Sequence, residues 1–450
     1  MTGQSTPWRR EATSDSQSAF AAPSIVKNRD FLLLWSGNAA SHIGLKGVML
    51  AYPLLALVLT NSPVSASLVT FALQLPGLIF QVPSGVVADY WDRRRVLLIC
   101  QRAGLTATVL ATIAATVQPA GLTFLLSVAA FAEGTAYVFF NTSELGLIRD
   151  IVPEPDRPAA FAFLEAEEPI ANMGGRVFGA AVFGIARSLP FLANAASYMY
   201  CLWTLAKIRK QAPATPETKP PRPAQIWGWD NVWAGVVELW ADPFVRGSTL
   251  VGGMANGIWQ IVILMITLKV RDGGYPAWVV GAVLSTTGLG GLLGATLAPR
   301  FAKRYSPKIV LVAGVWAWLA VCAAMAATSN PFLLGISFSG VGGAGTILGV
   351  SLTLHRTRVF PEDHVGRIFG ATKFISHGAT AIGALLAGGL LKTFGTTTTG
   401  WIATGCMIAI AGYARRLPDP WTPAPDPVST VASPPVNWIE QLSRKSPDGR

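Results

Sequence analysis

The 450-residue chain is 51% hydrophobic and only 13% charged, with a mean hydropathy of +0.44, whereas a soluble globular chain carries about a quarter charged residues. This excludes an ordinary soluble domain and points to a membrane-embedded chain with its charges gathered in loops. In such a chain a net charge of +11 and a pI near 9.7 reflect basic cytoplasmic loops rather than nucleic-acid binding.

Residues 1–30 are polar, with no apolar core of about 7–15 residues ahead of a cleavage site, so no signal peptide is expected there. A spanning helix needs about 20 mostly apolar residues at ~1.5 Å rise each. By that measure the chain predicts twelve spans, near 31–59, 64–88, 95–117, 120–148, 167–187, 189–206, 244–268, 276–299, 308–328, 331–354, 368–391 and 397–414. Short turns punctuate them, such as Asn61-Ser62-Pro63, Gln118-Pro119-Ala120 and Ser329-Asn330-Pro331.

With the N-terminus inside, only Arg187, Lys269, Arg271 and Lys392 fall on the outer side. Lys46 and Arg176 lie within spans, leaving 29 of the 35 basic residues inside or in the tails. That asymmetry sets the orientation, with both termini cytoplasmic and the chain in the cell (inner) membrane.

Between spans six and seven, residues 207–227 are basic and proline-rich and read as a flexible linker. Beyond it Trp229, Trp233, Val236, Val237 and Trp240 form a helical stripe, expected to lie in the inner interface or to dock a partner. The predicted organisation is a tail (1–30), a six-helix bundle (31–206), a linker with its interfacial helix (207–243), a second six-helix bundle (244–414) and a disordered tail (415–450). The fold class is an all-α integral membrane protein of twelve transmembrane helices, built as two six-helix bundles related by pseudo-twofold symmetry.

An internal repeat supports this. At an offset of 214, Ala88, Val96 and Leu97 overlie Ala302, Val310 and Leu311. At an offset of 204, Gly174, Gly179, Ala180 and Gly184 overlie Gly378, Gly383, Ala384 and Gly388, placing span five over span eleven. Two parallel halves with a pathway between them follow. Cys100, Cys201, Cys322 and Cys406 lie singly in apolar runs, so neither a disulfide framework nor a zinc site is expected.

The loop after span two reads Gly85, Asp89, Arg93, Arg94. It resembles the signature of the major facilitator superfamily, Gly-x-x-x-Asp-x-x-Gly-Arg-Lys/Arg, with Asp92 in place of the second Gly and Tyr90 in place of a frequent Arg. Three further runs resemble its drug–proton antiporter branch, which contains macrolide and siderophore exporters. They are Leu147 to Pro153, Glu238 to Phe244, and Gly366 to Gly370. Such antiporters carry a Gly-Pro pair in span five, where this chain has Gly175 and Arg176.

The resemblance implies a secondary active transporter: a monomer working by alternating access, with no cofactor beyond a proton gradient, exporting a small amphipathic molecule. Uptake or facilitated diffusion of a metabolite is the alternative, which the Arg176 departure leaves open, and a non-transporting sensor or scaffold is a third and lesser reading. It also implies that Asp89 and the following arginines form a cytoplasmic gate that latches the halves when the cavity faces outward. An intramembrane enzyme would need a constellation such as H-E-x-x-H or Gly-x-Ser-x-Gly, and the spans contain none. His355, His364 and His377 have no metal-ligand spacing.

A buried ionisable group costs at least ~2.5–3.5 kcal/mol at the bilayer centre and needs a partner or a wet cavity. Lys46, Glu133 and Arg176 lie near the middle of their spans. Span one sets Asn38, His42 and Lys46 at i, i+4, i+8. Span five sets Glu165, Glu168, Asn172 and Arg176 on one face. Spans one, four, seven and ten line the central cavity in the family. Glu133 is therefore expected to meet Lys46 or Arg176, either as a fixed ion pair or as a proton carrier or substrate anchor, with His42 on the same pathway. Asn256, Trp259 and Gln260 of span seven, with Asn38, are candidate substrate contacts. Core packing accounts for the span-seven set equally well.

Overall fold

Helix starts are set by small polar residues, several followed by proline. Asn28 accepts the amide of Phe31 and opens α1 (Arg29–Thr60), Ser62 opens α2 (Pro63–Ile79), and Asp92 opens α4 (Arg93–Val117). Asp242, Ser306 and Asn330, each followed by proline, open α9 (Pro243–Asp272), α11 (Pro307–Ala327) and α12 (Pro331–Val359). The side-chain oxygen satisfies an orphan amide, and proline at the first helical position has no amide to satisfy. The remaining helices are α3 (Gln81–Tyr90), α5 (Leu122–Ile151), α6 (Arg157–Ile185), α7 (Leu189–Lys207), α8 (Trp229–Ala241), α10 (Ala277–Arg304) and α13 (Glu362–Arg416). This computed structural model describes residues 24–209 and 229–420, and no strand occurs among them. The expected tails, 1–30 and 415–450, and the linker 207–227 lie largely outside the described residues.

Among the described residues eight helices are long and apolar enough to cross a bilayer, nine if the bent pair α2–α3 counts as one. The expected continuous span 64–88 is in fact two helices meeting at 52° around Phe80. Pro83 explains the bend, because it lacks an amide and its ring crowds the carbonyl four residues back. α13 is broken at Gly395 (φ 72, ψ 177), in the expected gap between residues 391 and 397. α6 and α7 fall outside the apolar group, α6 because it carries Glu165, Glu167, Glu168 and Arg176.

The apolar surface faces outward as well as inward. Phe124, Ile185 and Phe332 are 75, 79 and 74% exposed, a distribution that acyl chains accommodate and water does not. The chain is a multi-pass membrane protein.

α1 packs on α2, α6 and α7, and α4 on α5 and α7. In the C-terminal half α9 packs on α13, α10 on α12, and α11 on both α12 and α13. The halves meet along two seams, α2 with α13 and α6 with α10. Ser285 Oγ donates to the Met173 carbonyl at 3.0 Å, Arg176 Nη1 to that of Leu284 at 3.2 Å, and Arg271 Nη2 to Asn61 Oδ1 at 2.6 Å. These bonds lie toward the end of the molecule that holds the Asn61 and Gly273 turns. Gly179 abuts the backbone of Gly47, and Gly383 that of Gly257, leaving no room for a Cβ. The two glycines matched at offset 204 thus make the same close crossing, α6 on α1 and α13 on α9.

α8 forms where the tryptophan stripe predicted a helix, but its stripe divides. Leu239, with Val236 beside it, packs against Val245, Ile368 and Ala371, while Trp233, Val237 and Trp240 are exposed. Glu238 ties this helix to α13 through His364 at 3.1 Å and Arg367 at 3.8 Å.

Candidate functional site

α1 and α5 run antiparallel, so their residues pair like rungs. Tyr52 meets Glu133, Lys46 meets Tyr137, His42 packs against Tyr137 and Phe140, and Asn38 meets Glu144. The predicted stripe of Asn38, His42 and Lys46 is buried along its whole length, at 0, 7 and 7% exposure.

At one end of this ladder Asn38 donates to Glu144 Oε1, and Cys201 Sγ donates to Asn38 Oδ1 at 3.8 Å. His42 Nε2 stands 3.9 Å from Glu144 Oε2, beyond hydrogen-bond reach. Glu167 of α6 is 3% exposed with both carboxylate oxygens unpartnered among the described residues, and Glu144 is near enough to repel its charge. One turn of α1 further on, Lys46 Nζ pairs with Glu168 Oε1 at 3.2 Å and contacts Tyr137 Oη at 3.5 Å.

Glu133 pairs with neither Lys46 nor Arg176. Its carboxylate is wholly buried inside the N-terminal half and accepts from Tyr52 (2.7 Å), Asn194 (2.6 Å), Tyr198 (2.9 Å) and Thr108 (3.2 Å). The antiparallel register explains the correction. At the depth of Lys46, α5 presents Tyr137, and the acid at that level comes from α6. Arg176 lies at the seam and bonds the Leu284 carbonyl of α10. Glu165, which the stripe selected, is exposed, and its neighbour Glu167 is the buried one. Sequence reasoning therefore missed Glu144 and Glu167. Glu133, Tyr137, Phe140 and Glu144 stand at i, i+4, i+7, i+11, and that spacing was the available signal.

In the C-terminal half Asn256 Nδ2 donates to Ser376 Oγ at 2.5 Å on the wall of a cavity of about 230 Å³ between α9, α11, α12 and α13. Trp259 does not line it. Its ring stacks on Phe338 (4.6 Å, 14°) and leans on Trp318 (5.9 Å), making it part of the core. Gln260 is buried and also stays out of the cavity wall. Arg356, which the sequence reading did not select, does line it.

The signature loop joins α3 to α4. Arg93 Nη1 pairs with Asp150 Oδ1 at 2.7 Å, and its Nε donates to the Ala88 carbonyl at 3.0 Å. Arg94 donates to the carbonyls of Leu205 and Ala206, at 3.0 Å each, and closes the last turn of α7. Gly85 has open space around it, and Asp89 is exposed. In this conformation both arginines are bound within the N-terminal half rather than across to the other.

Two helical halves, one with a buried polar interior and one with a cavity, touch along two seams in a polytopic membrane protein. The Major Facilitator Superfamily profile matches residues 34–299 and 255–446, and the chain belongs to that family. It is 23% identical over 408 residues to the multidrug efflux pump Tap of Mycolicibacterium fortuitum, covering 87% of this chain and 97% of that one. It is 22% identical over 386 residues to the uncharacterized MFS-type transporter YfiS of Bacillus subtilis strain 168, covering 82% and 88%. Among solved structures, the nucleoside transporter NupG superposes with a TM-score of 0.69 at 14% identity, covering 86% of this chain and 98% of that one. A bacterial homologue of the iron transporter ferroportin, in its inward-facing state, gives 0.65 at 12%, covering 85% and 98%. These proteins are transporters, and the chain is a transporter rather than an enzyme.

Proposed function

We propose that the protein is a secondary active exporter that moves a small amphipathic molecule by alternating access, driven by proton influx. On this reading it has twelve spans in two six-helix bundles, with α6, α7, the bent α2–α3 pair and the two parts of α13 completing the set. It works as a monomer in the cell membrane with both termini cytoplasmic. The basic loops support that orientation, and the similarity to an efflux pump supports export. The bonds across the seam gather at the end poor in lysine and arginine, which fits a conformation open toward the cytoplasm. Asp89 and the inner ends of α3 and α4 would latch to the other half only when that side closes.

The observation that carries proton coupling is Glu167, a buried carboxylate with no donor among the described residues, whose charge Glu144 repels, with His42 3.9 Å from Glu144 in turn. A carboxylate so placed exchanges a proton or a cation rather than standing as a bare charge. We assign coupling to Glu144 and Glu167, positioning to His42, Asn38 and the Lys46–Glu168 pair, and a structural role to Glu133. Arg176 serves the seam between the halves, and Asn256 faces substrate.

Inverted membrane vesicles test this, with a compound chosen by a susceptibility panel on a pump-deficient host expressing the chain. Accumulation is expected when the vesicle interior is acidified, and a protonophore should abolish it. Glu144→Gln and Glu167→Gln should each lose at least 10-fold in accumulation with unchanged thermal stability. Accumulation indifferent to the protonophore would refute the coupling.

A further inference from the structure

The helices of the C-terminal half contain almost no acid. Between residues 243 and 416 the only carboxylates are Asp272, Glu362 and Asp363, all at helix ends. Arg356 is nevertheless drawn into the half and is 7% exposed. Its Nη2 donates to Thr249 Oγ1 at 3.1 Å, its Nε has no partner, and it makes no ion pair among the described residues. Removing a cation from water without an anion is expensive, by several kcal/mol even after relaxation. A guanidinium is also shaped for bidentate contact with a carboxylate or phosphate.

The side chain borders the cavity of about 230 Å³ described above. Beyond Arg356 the walls alternate between hydroxyl or amide groups and apolar surface. Thr249, Asn256 and Ser376 supply the first, with Thr372, whose hydroxyl is buried and unpartnered. Trp318 and Leu352 supply the second. Gly252, Gly314 and Gly349 keep the walls thin. A cationic ligand would meet no carboxylate in this cavity. The volume lies below the ~300–1,000 Å³ of drug-sized pockets, which suits a body of one or two rings.

We infer that the C-terminal half binds an organic anion, its anionic group on Arg356 and its apolar body between Trp318 and Leu352. This rests on the transport reading, and it narrows the amphipathic substrate to an anion. It also separates two duties, with substrate charge held in one half and the proton in the other.

The test uses the full chain in phosphatidylcholine nanodiscs, with 2-naphthoate and its neutral counterpart 2-naphthamide titrated by calorimetry. The wild type should bind naphthoate at least 10-fold more tightly than naphthamide. Arg356→Gln should bring the two within about 2-fold of each other. Arg356→Lys keeps the charge but loses the fork, so it should retain a preference of 3-fold or more, and it serves as the variant least prone to misfold. Equal binding of both probes, binding of neither, or a preference that survives Arg356→Gln would overturn the assignment. A lipid headgroup is the other source of such chemistry. If phosphatidylglycerol in the nanodisc weakens naphthoate binding 10-fold, the cavity is a lipid site and the substrate assignment fails; unchanged affinity supports it. The assay needs no gradient. A chain that binds naphthoate but does not accumulate compound in acidified vesicles breaks the export reading alone, and the reverse result breaks only this one.

Discussion

The two halves share a helix plan and differ in what fills it. In α1–α7 the interior is bonded by buried polar groups: the four-donor cage on Glu133, the Asn38–Glu144 contact and the Lys46–Glu168 pair. In α9–α13 the matching space holds the Trp259–Phe338 stack and a cavity, and the lysine most deeply placed there, Lys269, only closes a helix. Its Nζ donates to the carbonyls of Met325, Ala326 and Thr328 at 2.7–2.9 Å. A repeated fold therefore does not repeat its chemistry. The N-terminal half is built to hold buried charge, the C-terminal half to leave room.

The largest expected effect tests whether polar bonding cements the N-terminal half. Glu133→Ala leaves the hydroxyls of Tyr52, Tyr198 and Thr108 without their acceptor, while Asn194 keeps its 3.0 Å bond to Thr108 Oγ1, at about 1–3 kcal/mol for each group left unsatisfied. Thermal unfolding in detergent should show a loss of at least ~3 kcal/mol, and Glu133→Gln a much smaller one. A loss below about 1 kcal/mol in the alanine variant would show that water or rearrangement replaces the cage.

The counterpart in the other half is Trp259→Ala, with an expected cost of about 3 kcal/mol from the emptied core. Hydrogen exchange should show the loosening confined to α9, α11 and α12. If it spreads evenly into α1–α7, the halves are less independent than their packing implies. Gly179→Leu and Gly383→Leu compare the two matched crossings directly. Each should cost about 1–3 kcal/mol by overpacking, with similar melting shifts, and clearly unequal shifts would show that the crossings only look alike. The smallest effect belongs to Glu168→Ala. That side chain is 62% exposed while Lys46 is 8% exposed, so water reaches the pair from the Glu168 side and Lys46 keeps Tyr137 Oη at 3.5 Å; the expected loss is about 1 kcal/mol. A double-mutant cycle with Lys46→Ala measures the coupling.

Much of the site was legible one helix at a time. The stripe of Asn38, His42 and Lys46 follows from spacing alone, and all three residues are buried. Which acid each one meets did not follow, because that depends on the relative depth of two antiparallel helices. A shift of one turn exchanges Glu133 for Tyr137 opposite Lys46. The stripe on span five took in Glu165 and passed over Glu167 for a related reason. Both lie on α6, and only the packing of α6 against α1, set by Gly175 and Gly179, decides which one is buried. Arg356 was hidden by its address, since an arginine near the basic end of a helix reads as a solvated charge until its burial is seen.

By itself the sequence determined the membrane class, the helical content, the turn positions, the repeat and the family signature. All of these are carried by local hydrophobicity, capping chemistry or spacing along one chain. The seams between the halves, the cage around Glu133, the unpartnered Glu167 and the arginine-bordered cavity were decided only by tertiary structure. Each depends on the depth and rotation of one helix against another, and inside a bilayer no uniform solvent preference encodes those in the residues of either helix alone.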